Sequence, residues 1–166
     1  MNGRARYIWA LARIGLGWLF LWAFLDKLFG LGFATSPDKA WLAGASPTAG
    51  YLGFSVTGPL SSFYKNLAGN PVADWLFMLG LLGLGLALIL GIAMRIASYS
   101  GALLMLLLWS SRLPPENNPI LDEHIIYALL LFGLSAVRAG HTLGLGKWWA
   151  EWVKKARPNK SLHSTR

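Results

Sequence analysis

VADWLFMLGLLGLGLALILGIAM, residues 72–94, is a continuous apolar run with a single charged side chain, Asp74, near its start. A helix needs ~20 mostly apolar residues to cross a bilayer. In lipid the backbone polar groups must be satisfied within the segment, so such a run reads as a spanning helix. Three other stretches read the same way: 7–29, 96–113 and 120–137. The composition agrees. Of 166 residues 55% are hydrophobic and only 13% charged, and the mean hydropathy is +0.47; a soluble domain carries about 25% charged residues. The other reading of such helices is a soluble bundle of very apolar helices. The expected fold is an all-α membrane protein. It would be a four-transmembrane-helix bundle in one membrane domain, 1–166, with an outer lid segment of short helices and a C-terminal amphipathic helix.

The net charge of +8 raises nucleic acid as a partner, but its distribution argues against that. Arg4 and Arg6 precede the first span, Arg95 sits between the second and third, and Lys154, Lys155, Arg157, Lys160 and Arg166 lie in the tail, 140–166. With four spans these regions share one side, and their Lys/Arg excess makes it cytoplasmic. Both termini are then cytoplasmic in a multi-pass protein of the cell (inner) membrane. Asp26, Asp38, Asp74, Glu116, Asp122 and Glu123 fall on or near the other side, leaving only Glu151 inside. The expected partner is the lipid bilayer, whose anionic headgroups suffice for the basic tail; no nucleic acid is implied.

No cysteine occurs, which excludes disulfides, thiol redox chemistry and cysteine-ligated clusters within the chain. A small-x-small site at Ala43-Gly44-Ala45 lies far beyond the first apolar run, so that run reads as a retained anchor rather than a cleaved leader.

The segment 30–70 is rich in Gly, Ser, Thr and Pro, yet carries Trp41, Leu42, Phe54, Leu60, Phe63 and Tyr64. Ser36-Pro37 and Pro59 can each open a short helix. Two readings stand: a lid over the bundle mouth, or an interfacial anchor. The second connection, 93–95, forces an antiparallel hairpin, and the third, 114–118, is short and stiff. Trp148, Trp149 and Trp152 alternate with lysines, as in an interfacial helix. Gly83, Ala87 and Gly91, and Ala97 with Gly101, recur at four-residue spacing, a pattern that lets membrane helices pack closely.

Asn70-Pro71-Val72-Ala73-Asp74 and Asn118-Pro119-Ile120-Leu121-Asp122 share the pattern N-P-x-x-D. Asn suits a helix N-cap and Pro the first helical position, so each acid is expected in or beside a first turn, where the helix dipole favours it. Other charges reach the same level: Asp26 and Lys27 end the first span, Arg112 ends the third, and Glu123 and His124 open the fourth. Ionisable groups at a membrane are costly unless paired or facing a wet cavity. Asp74, Asp122 and either Lys27 or Arg112 are therefore expected to converge within salt-bridge reach. Arg13, Gly17, Phe20, Phe24 and Lys27 share one face of the first span, and His124, Ala128, Leu131, Ser135 and Arg138 one face of the fourth. Arg13 either snorkels to the cytoplasmic surface or faces inward to bind an acid, a carbonyl or a headgroup. Asp122 with His124 is a proton-handling pair, and Glu123 is a rim charge. No metal site is expected: His124, His141 and His163 fall at the mouth, the inner end and the tail.

Several of these features together resemble the DoxX family of small four-helix membrane proteins. They are the first span with Arg13 and its Lys27 end, the 91–95 hairpin, the N-P-x-x-D-x-H opening at 118–124 and the Ala139-Gly140 ending. The closing LGLGKWW, 143–149, is most similar to the DoxD branch, the large subunit of a thiosulfate:quinone oxidoreductase. The resemblance implies recurrent polar positions at Arg13, Lys27, Asp122 and His124, and at Asp74, where relatives commonly carry Glu. Two functions follow from it. In one, Lys27 and Arg112, with Arg13 and Asp74 as further polar contacts, bind a sulfur anion, while Asp122 and His124 handle the protons of a quinone electron acceptor. In the other, the chain is a non-catalytic anchor or assembly subunit for a soluble redox enzyme. A second redox subunit and a homo-oligomer are the expected protein partners.

Overall fold

The computed structural model describes residues 2–116 and 118–156; the basic positions Arg157, Lys160 and Arg166, and His163, lie outside them. The chain is all-α. The helices are α1 (Gly3–Phe29), α2 (Ser61–Lys65), α3 (Pro71–Leu90), α4 (Met94–Ser110), α5 (Glu123–Ala136) and α6 (Gly146–Ala156).

α1 and α3 are long and apolar enough to cross a membrane, with mean hydropathies of 1.7 and 2.1, whereas α4 and α5 are shorter apolar helices. Only 28% of the apolar window of α1 and 33% of that of α3 is buried within the protein. Such low burial fits membrane-spanning helices rather than a soluble bundle, whose most apolar helices would be enclosed. Instead Ile8, Leu11, Leu76, Leu79, Ile96, Leu103, Ile126 and Leu129 stand more than half exposed. An apolar surface of that extent belongs against lipid.

The helix ends follow local chemistry. Asn2 accepts from the N–H of Ala5 and starts α1, and Gly30, in the left-handed region at φ 65°, ends it. Asn70 caps α3 by accepting from Val72 and Ala73, with Pro71 in the first turn as expected. α5 differs. Asp122, not Asn118, is its N-cap and accepts from His124 and Ile125, while Asn118 caps a separate turn by accepting from Ile120 and Leu121. Proline at 119 suits a helix start equally well in both copies of the motif, but the free N–H groups nearest a carboxylate lie after Asp122. The helix therefore begins later than the expected 120, and α4 ends before the expected 113.

α1 pairs with α3 and α4 with α5, and the two pairs meet more loosely along α3 and α4. The core joins Leu16 and Phe20 of α1 to Leu81, Leu84 and Leu88 of α3, Ala97, Ala102 and Met105 of α4, and Leu131 and Leu134 of α5. The close approach of α1 and α3 runs through Gly17 and Gly85, not through the anticipated stripe at Gly83, Ala87 and Gly91. A Cβ on Gly85 would lie 2.8 Å from the Cβ of Leu21 and 2.9 Å from its backbone nitrogen, whereas one on Gly83 would meet nothing within 4 Å. Opposite outcomes are expected. Gly83→Ala should raise the detergent unfolding temperature, since alanine is worth ~0.5–1 kcal/mol over glycine in a helix. Gly85→Ala should lower it, because overpacking costs ~1–3 kcal/mol.

At one end α3 turns into α4 through Gly91 (φ 72°) and Ala93 (φ 47°), forming the expected hairpin. At the other end, residues 30–70 lie across the bundle. This lid contains the 3₁₀ turns Pro37–Lys39 and Trp41–Ala43, the π-helical turn Tyr51–Ser55, and α2.

Candidate functional site

Three polar attachments hold the lid to three different helices. At α1, the buried carboxylate of Asp26 accepts from the N–H of Phe33 (3.3 Å) and of Ala34 (3.0 Å). At α3, Asp74 accepts from Ser46 Oγ (2.8 Å), Thr48 Oγ1 (2.5 Å) and Thr48 N (3.2 Å). At α4, Tyr51 Oη lies 2.8 Å from Ser111 Oγ, and Tyr64 Oη lies 2.6 Å from Ser110 Oγ and donates to the carbonyl of Leu107 (3.1 Å). The N–H of Thr57 also donates to the carbonyl of Ser111 (3.0 Å). Burial pushes the Tyr51 phenol above its ordinary pKa, partly offset by its bond with Ser111, so it remains neutral and able to donate.

Beneath the lid, α3 and α4 diverge from their hairpin and leave a cavity of about 720 Å3. Its walls are apolar: Leu76, Phe77, Gly80 and Leu84 from α3, and Leu103, Leu104, Leu107 and Leu108 from α4. Thr48, Tyr51, Leu52, Tyr64 and Leu67 of the lid close its top, and Lys27, Ser111, Arg112, Glu123 and His124 supply polar groups. Lid residues thus cover a chamber. The Nζ of Lys27 stands 5.9 Å from the centre of the Phe77 ring, a cation–π geometry.

Asp122 and His124 form a bonded pair, Oδ2 to Nδ1 at 2.8 Å, with side chains only 16% and 19% exposed. Burial raises the Asp122 pKa, but the hydrogen bonds from the His124 ring and from the backbone of Ile125 and His124 outweigh it and hold the carboxyl below its usual value. An ionised carboxylate only accepts, so Nδ1 of His124 carries the proton and Nε2 is the ring's working nitrogen. A second, smaller cavity of about 120 Å3 adjoins the first. Arg112, Glu123 and His124 line both cavities, whereas Asp122 lines the small one alone.

The expected convergence of Asp74 and Asp122 on Lys27 or Arg112 does not occur. Among the described residues the ion pairs are Asp122–His124 and an exposed Arg112–Glu116 contact at 2.6 Å. Hydroxyl and amide donors from the lid reach Asp74 first, and because they are neutral they satisfy it without a second buried charge. Arg13 takes the inward-facing alternative, but far from the mouth. It is fully buried at the hairpin end, where Nη1 donates to the carbonyls of Leu88 and Ile89 (2.9 Å), and Nη2 to those of Thr142 (3.3 Å) and Leu143 (2.7 Å). Its two terminal nitrogens are thereby taken up by backbone carbonyls, its Nε is buried without a hydrogen-bond partner among the described residues, and the side chain lines neither cavity. Arg138, expected on the same face of the fourth span as His124, is exposed and lies just past the end of α5. Ligand atoms of Asp122, Glu123 and His124 lie within 4.8 Å of one another, a spacing a cation could accept. Both Asp122 oxygens are already engaged, however, by the backbone and by His124 itself.

Tyr51, Tyr64 and Ser111 were not legible as site residues. The tyrosines sit in an irregular segment, and Ser111 was overshadowed by the charge beside it.

No curated protein and no solved structure matches the chain. The family model of DoxX matches residues 8–111, well over half of the sequence, and ends before the 118–124 opening. That match takes in nearly all of α1, the lid, α3 and α4, which supply the apolar walls and the roof of the large cavity but not Arg112, Glu123 and His124, and on it the chain belongs to the DoxX family of membrane proteins.

Proposed function

We propose that the protein is the quinone-binding membrane subunit of an oxidoreductase of the DoxD kind, with a sulfur anion such as thiosulfate as electron donor. The observation that carries this reading is the large cavity: apolar walls, a volume within the ~300–1,000 Å3 of small-molecule sites, and at its polar rim His124, which is bonded to Asp122. The residues fit a quinone. Its ring would lie beneath the lid near Phe77 and Leu104, with its carbonyls toward Lys27, Tyr51 and His124. When bound, a quinone accepts two electrons and two protons. The chain's share of that chemistry is proton handling: Asp122 fixes the tautomer of His124, and His124 stands between the small cavity and the large one. Lys27 adds positive charge at the rim, suited to an anionic donor, while Arg112 beside it is paired with Glu116.

In this reading four helices span the inner membrane, the lid faces outward and both termini are cytoplasmic, from the Lys/Arg excess at the hairpin end. α5, with 14 residues, rises ~21 Å against a hydrocarbon core of ~30 Å. The turns that follow it would complete the crossing.

A second reading, a non-catalytic anchor for a soluble redox subunit, is favoured by the absence of cysteine from the sequence, since the chain brings no thiol of its own to hold or relay electrons. Purification in mild detergent, followed by solvent extraction, separates the two. The quinone reading expects a quinone near one per chain, and membranes that reduce quinone with thiosulfate. A stoichiometric protein partner with no extractable quinone supports the anchor.

A further inference from the structure

We propose that the ligand of the large cavity reaches it sideways from the bilayer, through a slot between α3 and α4, and that its hydrocarbon tail lies in that slot. The inference rests on the quinone reading of the cavity and adds the route and the part of the ligand that is recognised.

Leu76, Leu103 and Leu107 line the cavity, yet are 68%, 59% and 45% exposed. Such residues belong at once to the cavity wall and to the outer apolar surface, which is where a lateral opening would lie. The opening lies on the apolar flank of two membrane helices, so its outer side is lipid rather than water. The facing surfaces are continuous. Ala73, Phe77, Gly80 and Leu84 follow helical spacing on α3, as Ser100, Leu104, Leu107 and Ser111 do on α4. From Ser100 to Ser111 the α4 wall rises ~16 Å, long enough for an extended chain as well as a ring.

The lid is a poor door by comparison. It is tied to α1 through Asp26, to α3 through Asp74 and to α4 through Tyr51 and Tyr64. Opening it would break several partly buried hydrogen bonds at once, each ~0.5–1.5 kcal/mol. Between α3 and α4 nothing comparable has to break. Gly80 widens the slot: a Cβ there would meet nothing within 4 Å. The occupant is thus a membrane-resident amphiphile, its polar head at Lys27, Tyr51 and His124 and its tail directed toward Leu76 and Leu103.

Gly80→Phe places a ring in the slot, and Gly80→Leu is a milder version. Gly83→Phe, three residues along the same helix but outside the cavity lining, is the control. The readout is retention of quinone by purified protein in detergent. Decylubiquinone is compared with the tailless quinone bearing the same head, alongside the unfolding temperature of each variant. The expected result is a roughly tenfold or greater loss of decylubiquinone affinity in both Gly80 variants. Tailless-quinone binding should change little, and Gly83→Phe should behave as wild type. A quinone carrying a photoreactive group at its tail should label α3 and α4 near Leu76 and Leu103. Tail labelling confined to the lid, 47–67, or equal loss of both quinones at Gly80, overturns the slot. Wild-type protein that binds neither quinone, or that carries a phospholipid quinone does not displace, overturns the quinone reading itself.

Discussion

Arg13→Ala is expected to prevent stable folding or to lower the detergent unfolding temperature more than any single substitution in the lid or the cavity walls. The guanidinium is fully buried and bonds four carbonyls, those of Leu88 and Ile89 near the end of α3 and of Thr142 and Leu143 in the turn before α6. The last carbonyls of a helix have no partner within the helix, and a cation there also interacts favourably with the helix dipole. Removing the side chain strands these acceptors where water is scarce, at ~1–3 kcal/mol for each group left unpaired. Even two such losses are a large part of a total stability of ~5–15 kcal/mol. The neighbourhood cannot close over the gap. Gly91 and Gly140 pack so tightly that a Cβ on Gly140 would lie 2.2 Å from the carbonyl oxygen of Gly91. Leu143 is itself held at φ 49°, a strained value for a branched side chain. Arg13→Lys should rescue only in part, because a single ammonium lacks the planar fork that reaches two helix carbonyls and two turn carbonyls together. An Arg13→Ala protein that accumulates and unfolds like wild type would show the clamp to be idle.

His124→Gln is expected to leave the folded protein intact and to reduce thiosulfate-dependent quinone reduction by roughly a hundredfold to ten-thousandfold, the usual worth of a general acid–base group. Glutamine can still bond Asp122, and the N-cap of α5 uses the Asp122 side chain rather than the imidazole, so helix formation is spared. What is lost is the imidazole nitrogen, which can take up and release a proton where a carboxamide cannot. Asp122→Asn tests the same unit from the other side. Asparagine is an equally good N-cap, so α5 should persist, with a dipole loss of ~0.3–1 kcal/mol, while the fixed tautomer disappears and activity falls. Acid stability offers a separate check. The folded carboxyl is held below its ordinary value, so its contribution is complete above an unfolded pKa of ~3.9 and is lost as pH falls through the lower folded value. Asp122→Asn should remove that acid-limb loss. Unchanged turnover in His124→Gln would set the proton role aside, and retained assembly with a soluble partner by both variants would then favour the anchor.

Much of the architecture was readable from residue order alone. The apolar runs set the helices, Asn70-Pro71 set the start of α3, the short 93–95 connection forced the hairpin, and the aromatic content of 30–70 marked a segment that packs rather than floats. Helix-forming and capping groups act through neighbours a few residues away, so they are written locally. The facing of each helix was not. In a soluble protein apolar periodicity identifies the buried side; in a membrane protein lipid and core are both apolar, and Gly83 and Gly85 look alike until α1 is docked against one of them. The same limit explains the two N-P-x-x-D copies. Local chemistry gives both acids a helix start, but only the packed chain brings Ser46 and Thr48 to Asp74 and leaves Asp122 to His124. Arg13 had two equivalent outlets in sequence, and the carbonyls at the end of α3 and in the 142–143 turn, distant in the chain, selected the inward one. The cavity is wholly tertiary. It exists because two tight helix pairs share a hairpin at one end and are roofed at the other, so its volume and its opening depend on how the pairs diverge, a quantity no run of residues encodes.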